Sequence, residues 1–328
     1  MKKANKKGKG KLEQVLETLA ALKGEPLVGE VRKTVEAALS SSSNHVVGRA
    51  VALIGDQRDP DWRWEVEEIF SRFMDNPVKS DPGCGAKLAA VQALNKMECE
   101  STGVFTRAVR HVQMEPVFGG SGDTAAALRG HALAGLVAMG HSQSLFIGVP
   151  LLVDRQAETR YLAADALGYA ATDAAELLLR MKALAGDEDV RVTGTCLSSL
   201  LRLDRERSFD FVAEFLDRSD TELKEAAALA LAESHHREAF KVLEEHWHQT
   251  LDNSFREYLI LPMSLIRNEA SLAFLIEMVG HGNSRYAAAA LDGLAIMKHD
   301  RDLVARTEQA VKATGNIDLR TAFQRLFH

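Results

Sequence analysis

Eleven histidines, three cysteines and a recurring series of basic residues are the side chains in this 328-residue chain best suited to chemistry. His235, His236, His246 and His248 suggest a metal site, because neutral imidazoles are common ligands. Their spacing argues against it. The two pairs flank one helical stretch, and ten helical residues rise about 15 Å, too far for a shared ion. His111, His131 and His141 fall in separate segments. Cys84, Cys99 and Cys196 form no CxxC. Cys84 and Cys99 flank one helical pattern whose length, roughly 22 Å, exceeds disulfide reach. They are expected to be small buried side chains, with no metal and no cofactor.

Nucleophile and phosphate motifs are missing: there is no GxSxG, no GxxxxGKS and no GxGxxG. Gly119, Gly120 and Gly122 precede a helical pattern, where an anion could sit, but the Lys-Ser pair of a phosphate loop is absent. The expectation is therefore a non-catalytic protein.

Charge narrows the partners. The whole chain carries −6, yet residues 1–11, MKKANKKGKGK, hold six lysines and no acid, so the remainder carries −12. An acidic body argues against a nucleic-acid groove running through the protein, since phosphate affinity needs clustered Lys and Arg. The basic stretch 1–11 reads as a flexible tail, a candidate contact for nucleic acid or an acidic partner. No apolar run is long enough to span a membrane, and no signal-peptide core opens the chain, so a cytoplasmic protein is expected.

Positioning of any of these groups depends on an internal repeat. GAKLAAVQALNKM (85–97), ALRGHALAGLVAM (127–139), ETRYLAADALGYA (158–170), DVRVTGTCLSSLL (189–201), ELKEAAALALAES (222–234), SFREYLILPMSLI (254–266), NSRYAAAALDGLA (283–295) and DLRTAFQRLFH (318–328) share one pattern. Each opens near a basic residue: Lys87, Arg129, Arg160, Arg191, Lys224, Arg256, Arg285, Arg320. The intervals are 42, 31, 31, 33, 32, 29 and 35. A second apolar helical pattern lies between successive segments, and acidic or Asn turn residues separate the two. The unit is thus helix A, turn, helix B. One such pair cannot bury its apolar stripe alone, so the pairs must stack.

Segments such as GDEDVRVTGTCLSSLLRLD and ETRYLAADALGYAATD resemble HEAT repeats, in the short bacterial form also found in phycobilin lyases. The resemblance covers roughly residues 29–328. It implies an all-α fold, a right-handed α-solenoid (superhelix) of about nine HEAT-like pairs, with residues 12–328 as a single array. A helices are expected to start near 29, 61, 102, 143, 174, 207, 237, 269 and 300, with 11–24 as an N-terminal capping helix. It also implies that B helices line a concave, partner-gripping face.

Enzymes built on helical repeats are the alternative. Deoxyhypusine hydroxylase uses His-Glu dipeptides, and this chain has none; Gly130-His131, Tyr161-Leu162 and Tyr286-Ala287 stand at the matching places. Alkylpurine DNA glycosylases need a basic groove with Trp and a catalytic Asp, whereas Trp62, Trp64 and Trp247 sit in acidic surroundings. No short motif matches a bilin lyase.

Two features remain. The basic series reads either as a ladder tying each helix to an acidic turn, which planar Arg suits, or as a positive stripe for a ligand. The interval between Lys87 and Arg129 is about ten residues longer than the others. The excess falls at QMEPVFGGSG (113–122), between a helix A at 104–112 and a helix B expected to be capped by Asp123. Insertions in repeats map to loops that often bind. Its apolar residues either pack down or meet a partner. The candidate protein-binding site is Arg107, Arg110, Met114, Glu115 and Phe118, with B-helix positions at Arg129 and Arg160.

Overall fold

The computed structural model describes residues 2–281 and 283–327, with side chains from residue 10 onward except within those gaps. The reading of residues 1–11 as a charged contact therefore falls almost wholly on side chains outside the described residues. Among the described residues the chain is all-α apart from one hairpin, and it divides into two compact units, residues 1–178 and 179–328.

The first unit holds α1 (Lys2–Ala21), α2 (Gly29–Leu39), α3 (Asn44–Gln57), α4 (Arg63–Met74), the single turn α5 (Pro77–Ser80), α6 (Gly85–Lys96), α7 (Thr102–Ala108), α8 (Ala126–Ala138), α9 (Ser144–Leu151) and α10 (Ala157–Leu167). Strands β1 (Met114–Val117) and β2 (Gly120–Asp123) stand between α7 and α8. Helix α11 (Asp173–Ala185) contains the point of division. The second unit continues with α12 (Val190–Leu203), α13 (Arg205–Ala213), α14 (Thr221–Glu233), α15 (Ala239–Gln249), α16 (Asn253–Ile266), α17 (Glu269–His281), α18 (Ser284–Ala295), α19 (Arg301–Thr314) and α20 (Ile317–Phe327).

The expected A-helix starts are met by α2, α4, α7, α9, α11, α13, α15, α17 and α19. Within each unit the B helices form the stacked layer. In the first, α3 packs on α6, α6 on α8 and α8 on α10; in the second, α12, α14, α16, α18 and α20 follow one another. Their buried faces carry small and branched residues, such as Ala50, Val51, Ala90, Leu94, Leu133 and Leu136, then Ala227, Leu231, Leu259, Ala290 and Leu294. Small residues let the layer close up. A Cβ placed on Gly130 of α8 would lie 2.3 Å from Leu162 Cβ on α10, a distance only glycine permits.

Acidic or Asn turn residues start several helices of both layers, as the sequence pattern requires. Asp189, Asp204, Asp220, Asp252, Asn283 and Asp300 each accept N–H bonds from the first turn, satisfying donors with no partner inside the helix. Part of the basic series bonds residues between helices, and the rest meets residues within them. Lys87 Nζ lies 2.9 Å from Asp81, Arg129 binds Asp123 at 2.7 Å and Asp154 at 3.0 Å, and Arg191 binds Asp189 at 2.6 Å. Arg285 pairs with Glu257. Arg160, Arg256 and Arg320 donate to backbone carbonyls of Asp154, Trp247 and Lys312, while Lys224 lies over the Phe255 ring.

Two local expectations need correction. Helix A before the insertion ends at Ala108, short of residue 112, and Val112 and Met114 follow as exposed chain. Asp123 does not cap α8 in the expected way. That helix begins after Ala125, and Asp123 Oδ1 instead accepts from the N–H groups of Gln113 at 3.1 Å and Ala125 at 3.0 Å, closing the base of the hairpin.

Candidate functional site

The ten-residue excess is a hairpin rather than an irregular loop. Its register pairs Met114 with Asp123, Glu115 with Gly122, Pro116 with Ser121 and Val117 with Gly120, leaving Phe118 and Gly119 as the turn. Gly119 takes φ +86°, a conformation that side chains with a Cβ rarely adopt.

Polar contacts hold the foot of the hairpin on both sides. Glu115 is the first anchor. Its carboxylate accepts from the N–H of Gly83 at 2.8 and 3.1 Å, from Thr124 Oγ1 at 2.8 Å and from Gln113 Nε2. The bond from Gln113, helped by those from Thr124 and Gly83, holds the Glu115 carboxyl below the usual range. Gln113 itself is buried and donates to the Asp81 carbonyl at 2.8 Å. Asp81 is the centre of a second, fully enclosed group. It accepts from the Asn44 side chain, from the N–H of Ala86 and Lys87, and from Lys87 Nζ. Burial alone would raise its pKa, but these bonds outweigh burial and hold it low.

Arg129 is the anchor on the other side. It spans Asp123 at the hairpin base, Asp154 in the turn after α9, Thr159 on α10 and the His111 carbonyl. Burial works against the Asp123 carboxylate, yet the Ala125 and Gln113 N–H bonds and Arg129 keep it ionised below its ordinary range. The hairpin is thus tied to the turn before α6 and to the turn after α9.

The outward surface contrasts with this foot. Phe118 is 108% exposed, and Met114, Val117 and Val112 are exposed to 51, 50 and 58%. Of the residues the sequence reading placed in the site, Met114 and Phe118 share this surface. Arg110 is exposed in the segment between α7 and β1, and Arg107 is exposed while donating to Ser71 Oγ and lying over the Phe70 ring. Glu115 faces the foot. Arg129 and Arg160 are buried beneath internal bonds, so their guanidinium groups hold turns together and do not reach outward. Gly83, Gln113 and Thr124 carry the hairpin and were not visible in the sequence, because their common partner, Glu115, meets them only after folding.

The clustered histidines have separate structural roles. His236 stacks on Phe209 and meets Glu206 at 3.2 Å, and His246 meets the Val242 carbonyl and Asp217. Burial raises all three thiol pKa values, to about 12 for Cys84 and Cys196.

No family model and no curated protein matches the chain. Solved structures do. The complex of CpcE and CpcF of phycocyanin lyase from Nostoc sp. PCC7120 is 16% identical, with 89% of this chain and 97% of that chain covered and a TM-score of 0.38. The E. coli protein YibA is 14% identical, covers 69% of this chain and 90% of its own, and gives a TM-score of 0.38. An engineered protein is 15% identical, with 96% and 93% covered and a TM-score of 0.35. The first of these corrects the non-catalytic expectation. A chain similar to this one carries the name of a lyase. At these scores the likeness carries nothing further about activity.

Proposed function

We propose that this chain is a helical-repeat protein of HEAT-like type that binds a protein partner at the hairpin edge. Met114 and Phe118 provide the contact, Arg107 and Arg110 flank it, and Glu115, Arg129 and Arg160 act beneath it by fixing the turns. The observation that carries this reading is a fully exposed Phe118 at the tip of a hairpin whose foot is bonded on two sides. An apolar side chain held in water on an ordered support costs free energy that a partner recovers, and an aromatic residue in such a place is a typical interface anchor. The polar foot makes the hairpin preorganised, which lowers the ordering cost of association.

The test replaces Phe118 with a photo-reactive benzoylphenylalanine in the full chain, expressed in its native host. Val28, 66% exposed on the N-terminal side of α2, is the control position. A discrete crosslinked polypeptide from position 118 and none from 28 supports the reading. Equal or absent crosslinking at both removes the hairpin from the site.

A further inference from the structure

Two successive A helices of the second unit carry side chains at matching intervals. Helix α15 places Glu244, Trp247 and His248 at i, i+3 and i+4, and α17 places Phe274, Glu277 and Met278 at the same spacing. Residues three and four apart share a helix face. Both sets line one cavity of about 330 Å³, and Tyr286 of α18 lines it as well. Ligand cavities run from about 300 to 1,000 Å³, so this one suits a small headgroup.

The rings in it stand nearly at right angles. Trp247 lies 5.4 Å from Phe274 at 86° and 5.8 Å from Tyr286 at 70°, and His248 lies 6.1 Å from Phe274 at 81°. Two perpendicular planes share only a line, so a cavity lined by both rings meets the face of at least one of them. The face of an aromatic ring is its negative side. These walls are fixed in advance. The Tyr286 hydroxyl donates to Asn253 Oδ1 at 3.1 Å, and Trp247 and Phe274 pack against the core around Leu275, Val279 and Leu291.

The charged lining is acidic. Glu244 is half-buried and Glu277 exposed, and among the described residues neither carboxylate has a hydrogen bond or ion pair. No described lysine or arginine lines the cavity. Arginines of the helices packed around it are bonded elsewhere. Arg256 of α16 donates to the Trp247 and Thr250 carbonyls, Arg285 of α18 pairs with Glu257, and Arg306 of α19 pairs with Glu269. Lys241 of α15 lines a different cavity, beside Glu238 and Glu245. The other titratable groups at the site are His248 and His281, and an ordinary imidazole is neutral at pH 8.

We propose that this cavity binds a methylated ammonium headgroup. N-methyl groups spread the positive charge over an apolar surface, which ring faces attract and which asks for no hydrogen-bond acceptor. Glu244 and Glu277 supply the opposite charge. A bare ammonium must give up the water on its three donors, and the rings do not replace it. A neutral ligand of the same shape leaves both carboxylates without a counter-charge. The cavity lies in the second unit and the hairpin in the first, so this proposal stands apart from the partner site.

Isothermal titration calorimetry on the full chain at pH 8 tests it with three probes. They are choline, ethanolamine, and the neutral isostere of choline in which a tert-butyl group replaces the trimethylammonium. Choline is expected to bind at least about tenfold more tightly than either of the others. Glu244→Gln/Glu277→Gln, which keeps both side-chain volumes, should weaken choline by about tenfold. Phe274→Leu, which keeps an apolar side chain and removes the ring, should do the same. The Gln pair keeps the test decisive if Phe274→Leu disturbs packing. A hexapeptide with one trimethyllysine separates the sources. Tighter binding than choline assigns the headgroup to a modified protein, and equal or weaker binding assigns it to a small molecule; either supports the proposal. Equal binding of choline and its neutral isostere overturns it, as does full choline binding by the folded Gln pair. Failure of choline and the trimethylated peptide alike to bind below about 10 mM also overturns it.

Discussion

Lys87 Nζ lies 2.9 Å from Asp81 Oδ2 with both side chains wholly enclosed. Two charges out of water hold only while each is fully bonded, and Asp81 has two N–H groups and Asn44 besides Lys87. Lys87→Ala leaves that carboxylate without its counter-charge. The expected loss is about 3–5 kcal/mol, read as a lower urea midpoint at constant slope.

Acid should act on the same region and on the start of α12. Asp81, Glu115, Asp123 and Asp189 all have folded pKa values below their ordinary ones. A depressed carboxylate contributes stability that is fully present above its unfolded value, about 3.9 for Asp and 4.3 for Glu, and is lost as pH falls through the folded value. Urea midpoints should be flat from pH 7 to about 5 and drop below about 4. With Asp81→Asn and Asp123→Asn combined, the chain should be less stable at pH 7 and show a shallower acid drop. An equally steep drop would assign the acid sensitivity elsewhere.

Arg129 predicts a separation of stability from exposure. Arg129→Met leaves Asp123 and Asp154 facing each other's side of a buried gap without their cation, at an expected cost of about 3–5 kcal/mol. Phe118→Ala removes a larger side chain, yet it should change stability by less than about 0.5 kcal/mol because that ring contacts water. Calorimetry on the two variants checks the pair. A strongly destabilised Phe118→Ala would mean the ring packs on its own chain.

Gly130→Ala should cost about 1–3 kcal/mol despite the better helix propensity of alanine. The added Cβ meets Leu162 Cβ and Cδ1 at 2.3 and 2.8 Å, so α8 and α10 must move apart. Leu162→Ala in the same chain should return part of the loss, a coupling visible in a double-mutant cycle.

The thiols give a simple probe of native packing. With Cys84 and Cys196 raised to about 12 by burial, neither is a thiolate at pH 8. A disulfide exchange reagent should label neither in the folded chain and all three cysteines in urea.

The regular part of this fold could be read from the sequence because each repeat declares itself locally. Asp189 precedes Val-Arg, Asp220 precedes Thr-Glu-Leu-Lys, and these acids cap helices within three residues of themselves. The structural reading of the basic series follows from the same proximity, since Arg191 finds its acid two residues away. The hairpin was not legible. QMEPVFGGSG contains three glycines and a proline, poor strand formers, and its strands exist because contacts distant in sequence hold their ends. Glu115 reaches Gly83 across 32 residues and Arg129 reaches Asp154 across 25. The same distance explains why Glu115 and Arg129 were assigned to an outward site when they belong to its support. For Phe118 and Met114 the sequence leaves two outcomes, packed down or turned to solvent, because nothing local chooses between them; in the fold both side chains are exposed.

The double footing of the hairpin has a geometric consequence. One foot is bonded to the turn before α6, and the other is linked through Arg129 of α8 to the turn after α9, so the hairpin is tied to three successive repeats. Its tip stands about four residues away, roughly 13 Å at strand rise. Any change in spacing between those turns would be felt at the base first and, by lever geometry, would be larger at Phe118. The hairpin is in that sense a pointer on a short lever, and its needle is an aromatic ring.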